Sequence, residues 1–281
     1  MREVLEENVG KDFREAQIKR DNTYIDLKKE QGRLTSGEAN YWKEKTGNLQ
    51  EYQYGYHKGW SMILDTLTWP VLIMMIICIG IAPIFAGEYQ SKCDSLILCM
   101  KYGKSKLIFA KTVSGWLYAT CVYWGITLVY SSVYMIFLGT QGADLPIQLK
   151  YPAMSVGYNL TMGEAVGIAL LLGYFFTLGI MGITLFMSAL LKNTYAVIII
   201  AFLLIIIPTF LSPDTGGYAW SHVLSLLPPK IADFSFQSYT AYSIGNIVLS
   251  WPVMAILINA IVAVICSVLG YIVFRKHQVN K

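Results

Sequence analysis

The 281-residue sequence is poor in the residue types from which catalytic and metal sites are built. It has three histidines and five cysteines, none of them in a cluster with metal-ligand spacing. No Ser-His-Asp or Cys-His grouping has the spacing of a nucleophilic site. The cysteines lie in apolar stretches or in one basic loop, which argues against a disulfide framework. The sequence therefore predicts a chain that is not itself an enzyme.

A nucleotide site is also missing. Gly103, Lys104 and Ser105 match the end of a phosphate-binding loop, whose backbone amides cradle phosphates. That motif needs a further glycine five positions before its last one, and Leu98 stands there. No cofactor is expected in this chain.

Charge is scarce beyond residue 59. About half of the charged residues precede His57, where the two signs nearly balance, which argues against nucleic-acid binding. Hydrophobic residues make up 55% of the chain and the mean hydropathy is +0.47. Soluble domains have an apolar content of only ~45–50%. This composition predicts a membrane protein.

Five apolar runs follow the polar N-terminal part, at 61–86, 112–138, 163–191, 194–211 and 251–274. Each is close to the ~20 residues that a helix needs to cross a bilayer, and the fourth is the shortest. Backbone groups in lipid must be hydrogen-bonded internally, so such runs are helices. The predicted fold class is all-α: a polytopic membrane protein with its transmembrane domain over 60–281.

Basic residues set the predicted orientation. The segment 87–111, the turn at Lys192 and the C-terminal tail together carry nine Lys and Arg, whereas 139–162 and 212–250 carry two. Basic loops stay on the cytoplasmic side. We therefore expect a multi-pass protein of the plasma membrane with a cytoplasmic C terminus.

Residues 1–59 predict a polar helical hairpin. Apolar residues recur at helical spacing through Phe13, a break falls between Gly32 and Gly37, and Thr35 with Glu38 has capping-box form. No signal peptide is visible. Five spans with the C terminus inside place this hairpin outside the cell. One alternative is a flexible charged tail. Another is that residues 1–59 stay inside the cell and the 61–86 run is not a simple crossing.

The last outer segment, 212–250, is apolar, aromatic and interrupted by Pro228 and Pro229. It is too broken to span the membrane and predicts short external re-entrant helices, which need a protein cover. An ordinary outer loop with aromatic anchors is the alternative.

The basic loop 85–111 is predicted to contain an amphipathic helix under the membrane, with Leu96, Ile97 and Met100 on one side. Its sequence resembles the first cytoplasmic loop of ABC-2-type exporter permeases, whose pattern is F-x-x-E-Y-x-S-G-T, an apolar turn, P-x-S-R-S-K, and then A-K. The matching residues are Phe85, Glu88, Tyr89, Ser91, Ser105, Lys106, Ala110 and Lys111. Lys92 and Cys93 replace Gly-Thr, Lys104 replaces Arg, and Lys101 replaces Pro, so the helix is expected to run further here.

The resemblance implies a permease subunit that pairs as a homodimer or heterodimer and works with a separate ABC ATPase, which would hold ATP and Mg. It implies that this loop is the coupling helix, and the residues that couple to the ATPase would be Glu88, Tyr89, Ser91, Lys101, Lys104 and Lys106. Of these, Glu88 would lie at the membrane end of the helix, and the three lysines would face the ATPase or lipid phosphates. The family has six spans, so the resemblance also implies that a first span is missing here and that Met1 is not the natural start.

The spans contain almost no ionisable residue, whereas ion-coupled transporters need such residues within the membrane. Transport energy would therefore come from an ATPase, and the cargo would be amphipathic or apolar: a peptide antibiotic, a drug or a lipid. Candidate cargo-path residues are Tyr118, Tyr123, Trp124, Tyr174 and Asn259. One rival hypothesis is a membrane sensor or immunity protein that binds an extracellular peptide without transport. The other is a membrane-embedded enzyme, which the missing cluster of polar catalytic groups disfavours.

Overall fold

The computed structural model describes residues 2–49, 53–66, 69–100, 102–152, 154–212, 217–233, 235–245 and 247–276, and these are mostly helical. The α-helices are α1 (Arg2–Glu30), α2 (Ser36–Gly47), α3 (Lys58–Asp65), α4 (Trp69–Ile81), α5 (Pro83–Gln90), α6 (Asp94–Cys99), α7 (Ile108–Leu138), α8 (Met162–Leu190), α9 (Thr194–Phe210), α10 (Tyr218–Ser225) and α11 (Trp251–Lys276). A π-helix covers Gly103–Leu107, and 3₁₀ helices cover Ile147–Lys150 and Pro228–Asp233. Strands β1 (Ala241–Ile244) and β2 (Ile247–Ser250) form one antiparallel pair.

Four helical segments in the described part of the chain are long and apolar enough to cross a membrane: Pro70–Gln90, Ser105–Leu138, Met162–Leu190 and Trp251–Lys276. The predicted membrane-type helical fold is confirmed at this level. The predicted run 194–211 forms α9, which has 17 residues. At ~1.5 Å per residue, α9 is about 26 Å long, slightly less than the ~30 Å hydrocarbon core. The count of five spans therefore stays a prediction.

The first predicted span has different boundaries in the structure. Residues 61–65 belong to the separate helix α3, and the long segment begins only at Pro70. Asp65 is charged and pairs with Lys150. Pro70 lies in the first turn of α4, where its missing N–H is not needed. Both residues favour a helix boundary that hydropathy alone did not reveal.

Helix α8 is the centre of the bundle and packs against α4, α5, α7, α9 and α11. The backbones of α8 and α11 come close together at Gly182, where a Cβ would lie 2.8 Å from both Cα and the carbonyl oxygen of Ala263. Membrane helices pack through such small residues because apolar side chains are already satisfied by lipid.

The bundle has two chemically different ends. We call one the hairpin end; it carries α1, α2 and the described parts of 139–161 and 217–250. The other is the basic-loop end, with the segment 91–107, the turn at 191–193 and the C-terminal end of α11. Separate groups of buried side chains lie towards the two ends, one including Trp42 and Tyr239 and the other Phe85 and Phe274.

The predicted hairpin at the N terminus is present. Thr35 Oγ1 accepts from the Glu38 N–H at 3.4 Å, and Glu38 Oε2 accepts from the Thr35 N–H at 2.9 Å, so the predicted capping box is confirmed. Trp42 is fully buried and meets Tyr158 and Tyr239 edge-on at centroid distances of 4.9 and 5.2 Å. The hairpin therefore packs on the bundle and does not trail from it as a charged tail.

The segment after α9 contains the predicted short helices, α10 and the 3₁₀ turn, but also a β-hairpin that was not predicted. Its strands pair from Ala241 with Ser250 to Ile244 with Ile247. Gly245 follows β1 with a φ of +61°, a conformation that favours glycine. The pair is only four residues long on each side, too short for its alternation to stand out beside the apolar runs.

Candidate functional site

The strongest candidate site lies where α4 meets α5, at the basic-loop end. Pro83 at the start of α5 has no N–H and interrupts the helical hydrogen bonds. The buried hydroxyl of Ser188 on α8 occupies the gap: it accepts from the N–H groups of Phe85 and Ala86, both at 3.0 Å, and donates to the Ala82 carbonyl at 2.7 Å. A side chain inserted into the backbone ladder in this way is a recognised cause of helix bending.

One turn earlier on α8, Thr184 makes a second polar contact with the same helix pair. Its hydroxyl lies 3.3 Å from Cys78 Sγ on α4 and donates to the Ile180 carbonyl at 2.8 Å. Sequence reasoning missed both Thr184 and Ser188. Their spacing of four residues within an apolar span places them on one helix face, and this pattern could have identified them.

Glu88 and Lys111, at opposite ends of the basic loop, form an ion pair and are each partly buried. Lys111 Nζ also donates to the Ile84 carbonyl at 2.9 Å. The loop is thus closed at its base, because α5 is joined directly to the first turn of α7. The Glu88 carboxylate therefore has a partner within the chain.

Tyr89 also points inwards. Its hydroxyl donates to the Ala189 carbonyl at 3.1 Å, and its ring lies 5.3 Å from that of Phe274 on α11. Ser91 donates to the Gly87 carbonyl at 2.9 Å, within its own turn. Of the predicted contact residues, Glu88, Tyr89 and Ser91 thus have partners within the chain.

The predicted lysine cluster is described only in part. Lys101 and the side chain of Lys104 lie outside the described residues. Lys106 is exposed, and its Nζ lies 4.7 Å from the centre of the Tyr102 ring. Lys106 is therefore placed on the outer surface of the loop, where a partner can reach it.

The predicted long amphipathic helix is wrong in extent. The loop contains the six-residue α6 and a π-helix, with a turn between them. A side chain at Gly103 would lie 1.6 Å from the Ile97 carbonyl oxygen, so the chain turns back here in a way that only glycine permits. Ile97 is buried whereas Leu96 and Met100 are 70% and 51% exposed, so the three do not share one buried face.

Lys92 has an unusual backbone conformation. Its φ is +56°, in the left-handed region, and among the described non-glycine residues it alone has a positive φ. Glycine adopts this conformation without a steric penalty, whereas a residue with a Cβ does not. The turn at Lys92 is therefore formed at some cost in strain.

Three candidate cargo-path residues meet between α7 and α8. The rings of Tyr123, Trp124 and Tyr174 are 5.5 to 5.7 Å apart, and we call them the aromatic cluster. Tyr123 is fully buried and donates to the Leu170 carbonyl at 2.6 Å. Tyr174 lies 3.0 Å from Thr120 Oγ1. The cluster thus joins two helices through ring contacts and hydrogen bonds.

The other two candidates lie apart from this cluster. Tyr118 is 38% exposed and its ring lies over Gly80 of α4. Asn259 is buried and donates to the carbonyls of Ala255 at 2.9 Å and Leu226 at 3.2 Å. The Asn259 amide thus joins α11 to the end of α10, which is the role of a packing residue.

The described residues define a helical protein, with four membrane-length helices among them and a closed basic loop at one end. The family DUF2705, described as a protein of unknown function, matches residues 38–279, and the chain belongs to this family. No curated protein and no solved structure matches the chain.

Proposed function

We propose that this chain is the permease subunit of an ATP-driven exporter of the ABC-2 type, located in the plasma membrane with its C terminus in the cytoplasm. The observation that carries the proposal is the Glu88–Lys111 ion pair. This ion pair joins the two halves of the sequence pattern that resembles the ABC-2 loop. The two halves would therefore move together as one unit. The cargo is an amphipathic or apolar molecule, in keeping with the aromatic cluster.

In this proposal an ATPase subunit docks on the exposed outer surface of the basic loop. That surface offers Leu96, Met100, Tyr102 and Lys106, a mixture of apolar and basic side chains. A push on the loop reaches α7 through Lys111 and α8 through Ser188. The contact residues of the loop are therefore Lys106 and its neighbours, while Glu88 and Tyr89 transmit the movement.

A second permease subunit, identical or related, would pack along α7. This helix belongs to the least buried of the four long segments. Only 11% of the residues in the most apolar stretch of that segment are buried by the rest of the chain. A cargo path between two subunits would then run past Tyr118 and the aromatic cluster. Lipid covers whatever part of α7 the partner leaves open.

Co-expression with a candidate ATPase tests the proposal. We expect a stoichiometric complex in mild detergent, ATP hydrolysis only in that complex, and cargo-dependent turnover after reconstitution.

Glu88→Ala should uncouple hydrolysis from export while cargo affinity changes little. The matched control is Glu164→Ala, which removes a carboxylate from the capping box of α8 at the opposite end. Loss of cargo binding in Glu88→Ala with normal coupling would overturn the transmitting role.

The sensor or immunity hypothesis keeps one supporting observation, the packing of α1 and α2 over the hairpin end. Such a protein would respond to an extracellular peptide without any ATPase. Export that requires an ATPase would rule out the sensor or immunity hypothesis. Protection of cells against the peptide in the absence of every partner ATPase would support it.

The proposed orientation has its own test. Ser36 is exposed at the hairpin end and Lys192 at the basic-loop end. In a cysteine-free background, Ser36→Cys should react with an impermeant thiol reagent on intact cells, and Lys192→Cys only after lysis. The reverse pattern refutes the orientation.

A further inference from the structure

A cleft of about 550 Å³ lies between α7 and α11, towards the basic-loop end of the bundle. Its lining side chains on α7, among them Phe109, Val113 and Trp116, recur every three or four residues and so share one face of the helix. Those on α11, including Val268 and Tyr271, form the opposite wall. We call this feature the α7–α11 cleft. Its volume lies within the ~300–1,000 Å³ range of ligand pockets.

The cleft has the depth of one membrane leaflet. Its lining on α7 extends from Phe109 to Thr120, which at ~1.5 Å per residue is about 16 Å. That length is close to half of the ~30 Å hydrocarbon core. Both residues lie in the first half of α7, which begins at the basic-loop end. A neighbouring transmembrane helix would run along both leaflets, whereas the acyl chain of a lipid occupies only one.

Three polar side chains of the cleft are hydrogen-bonded within the chain. Thr112 and Thr120 donate to the carbonyls of Ile108 and Trp116, at 3.0 and 2.8 Å. The Trp116 indole N–H donates to Ser267 Oγ at 3.0 Å and joins the two walls. Donors that are satisfied internally can face hydrocarbon without the cost of an unpaired polar group. The body of the cleft therefore suits a hydrocarbon chain.

The mouth of the cleft, at the basic-loop end, carries a cation on each wall. Arg275 lies one turn beyond Tyr271 on the same face of α11, and its side chain is exposed. Lys106 lies within one turn of Phe109 in the continuous helical segment that contains α7, and it is exposed too. Its Nζ is 4.7 Å from the centre of the Tyr102 ring, a contact that leaves the positive charge in place.

We propose that the α7–α11 cleft holds an acyl chain of an anionic membrane phospholipid, whose phosphate lies at Arg275 and Lys106. A guanidinium presents paired donors that match the oxygens of a phosphate. Glu88, at the base of the loop, is already paired with Lys111. In the orientation proposed above the lipid belongs to the cytoplasmic leaflet, whose anionic headgroups attract basic residues beside a membrane span.

The charge at the mouth favours a lipid over a second copy of this chain. Two copies with the same orientation that met at the cleft would bring their Arg275 side chains to the same depth, where like charges repel. An anionic headgroup neutralises these charges instead. The other half of α7 keeps strongly exposed side chains, such as Val129, Ile136 and Phe137, for contact with a partner subunit.

Native mass spectrometry of the delipidated full chain in mild detergent tests the inference. Each bound lipid adds a known mass, and the same spectrum shows whether the chain is a monomer or a dimer. The probes are phosphatidylglycerol and phosphatidylcholine with identical acyl chains, which differ in net headgroup charge. We expect phosphatidylglycerol to bind about fivefold more tightly, the scale of one basic residue beside an anionic headgroup.

Two neighbouring basic residues of α11 give a matched pair of variants for the headgroup. Arg275 continues the face that lines the cleft, whereas the exposed Lys276 is rotated from that face by about 100°. Arg275→Gln should weaken phosphatidylglycerol binding about fivefold and phosphatidylcholine binding less. Lys276→Gln should change neither affinity, although it removes the same charge. Lys106 stays intact in this test because it also belongs to the surface proposed for the ATPase.

A second matched pair of variants tests the acyl-chain contact. Val268 lines the cleft and is 51% exposed, whereas Ile265 on the same helix is 52% exposed and does not line it. Val268→Trp should fill the cleft and weaken the binding of both lipids, and Ile265→Trp should weaken neither. Both positions are exposed, so a larger ring fits without entering the core, and circular dichroism checks the folding of each variant.

Equal affinity for the two lipids would contradict the inference, and so would equal effects of Arg275→Gln and Lys276→Gln. Equal effects of the two tryptophan variants would show that the acyl chain does not lie in the cleft. Loss of a dimer in Val268→Trp with unchanged lipid binding would assign the cleft to a second copy and refute the inference. None of these outcomes involves transport or an ATPase, so the inference and the proposed function stand or fall separately.

Discussion

The two ends of the bundle are built in opposite ways. At the hairpin end a second layer of helices, turns and strands covers the apolar helices and buries polar side chains such as Asp21 and Gln148. At the basic-loop end a single loop with short helices leaves Leu96 and Met100 exposed and is anchored by Glu88 and Lys111. A thick, internally bonded layer suits a rigid cover, and a thin loop on a few anchors suits a surface that a partner moves.

Trp42→Ala should have the largest effect and should act on the hairpin end alone. Removing a buried tryptophan costs about 3–5 kcal/mol because the cavity left behind does not collapse fully. Trp42 lies between Tyr158 and Tyr239, so we expect the hairpin to detach and become sensitive to protease.

The control for Trp42→Ala is Phe274→Ala, which removes a buried ring that packs on Phe85 at the other end. Proteolysis followed by mass spectrometry should locate cleavage in residues 1–59 for the first variant only. Equal cleavage of both ends in either variant would show that the ends are not independent.

Ser188→Ala should have the next largest effect, at the basic-loop end. The Phe85 N–H loses its acceptor, and an unsatisfied buried donor costs about 1–3 kcal/mol. We expect a lower unfolding temperature and faster hydrogen exchange at residues 85–90. Ser114→Ala is the control, because Ser114 is exposed and bonds only the Lys111 carbonyl of its own helix. Slow exchange in the Ser188 variant would contradict the anchoring role.

The buried carboxyl of Asp21 should make the hairpin end pH-sensitive. Burial raises its pKa above the ordinary value of 3.8, although the hydrogen bond from Gln17 lowers it in part. The folded state thus holds the proton more tightly than the unfolded state. Stability is therefore greatest at low pH and falls as pH rises through the interval between the unfolded and folded pKa values.

Asp21→Asn should remove this pH dependence and stabilise the hairpin at neutral pH, since no charge is then buried. The measurement is the thermal unfolding temperature from pH 4 to 7. Asp26→Asn is the control, because the Asp26 side chain is 52% exposed and pairs with Lys43. An unchanged pH profile in Asp21→Asn would show that another group is responsible.

Lys92→Gly should give the smallest effect, a stabilisation of the basic loop by about 0.5–1 kcal/mol, because glycine adopts a positive φ without a steric penalty. Lys92→Ala is the control, since it removes the charge but keeps Cβ. Equal stabilisation by both variants would attribute the effect to charge and not to the backbone.

Local patterns predicted the local structure well. The capping box at Thr35 and the helix that it starts could be derived from the sequence because both partners lie within four residues. The long helices could be predicted because each apolar run is longer than an apolar helix in the core of a soluble protein. The boundary before Pro70 was missed because the adjacent helix α3 is itself apolar on one face.

Long-range features of the candidate site could not be predicted in the same way. Glu88 and Lys111 were both noted in the sequence, but nothing in a spacing of 23 residues shows that they meet. Ser188 looked like one more small residue in a span, and its role depends on Pro83 in another helix.

The packing of Trp42 also has a consequence for how the protein is made. Its partner Tyr239 is synthesised about 200 residues later, so this contact is among the most non-local in the chain. At ~5–20 residues per second, the ribosome needs at least about 10 s to reach it. During that time the hairpin must exist without its final apolar contacts. We therefore expect the hairpin to be the last part of the protein to fold and the part that most needs a chaperone during biogenesis.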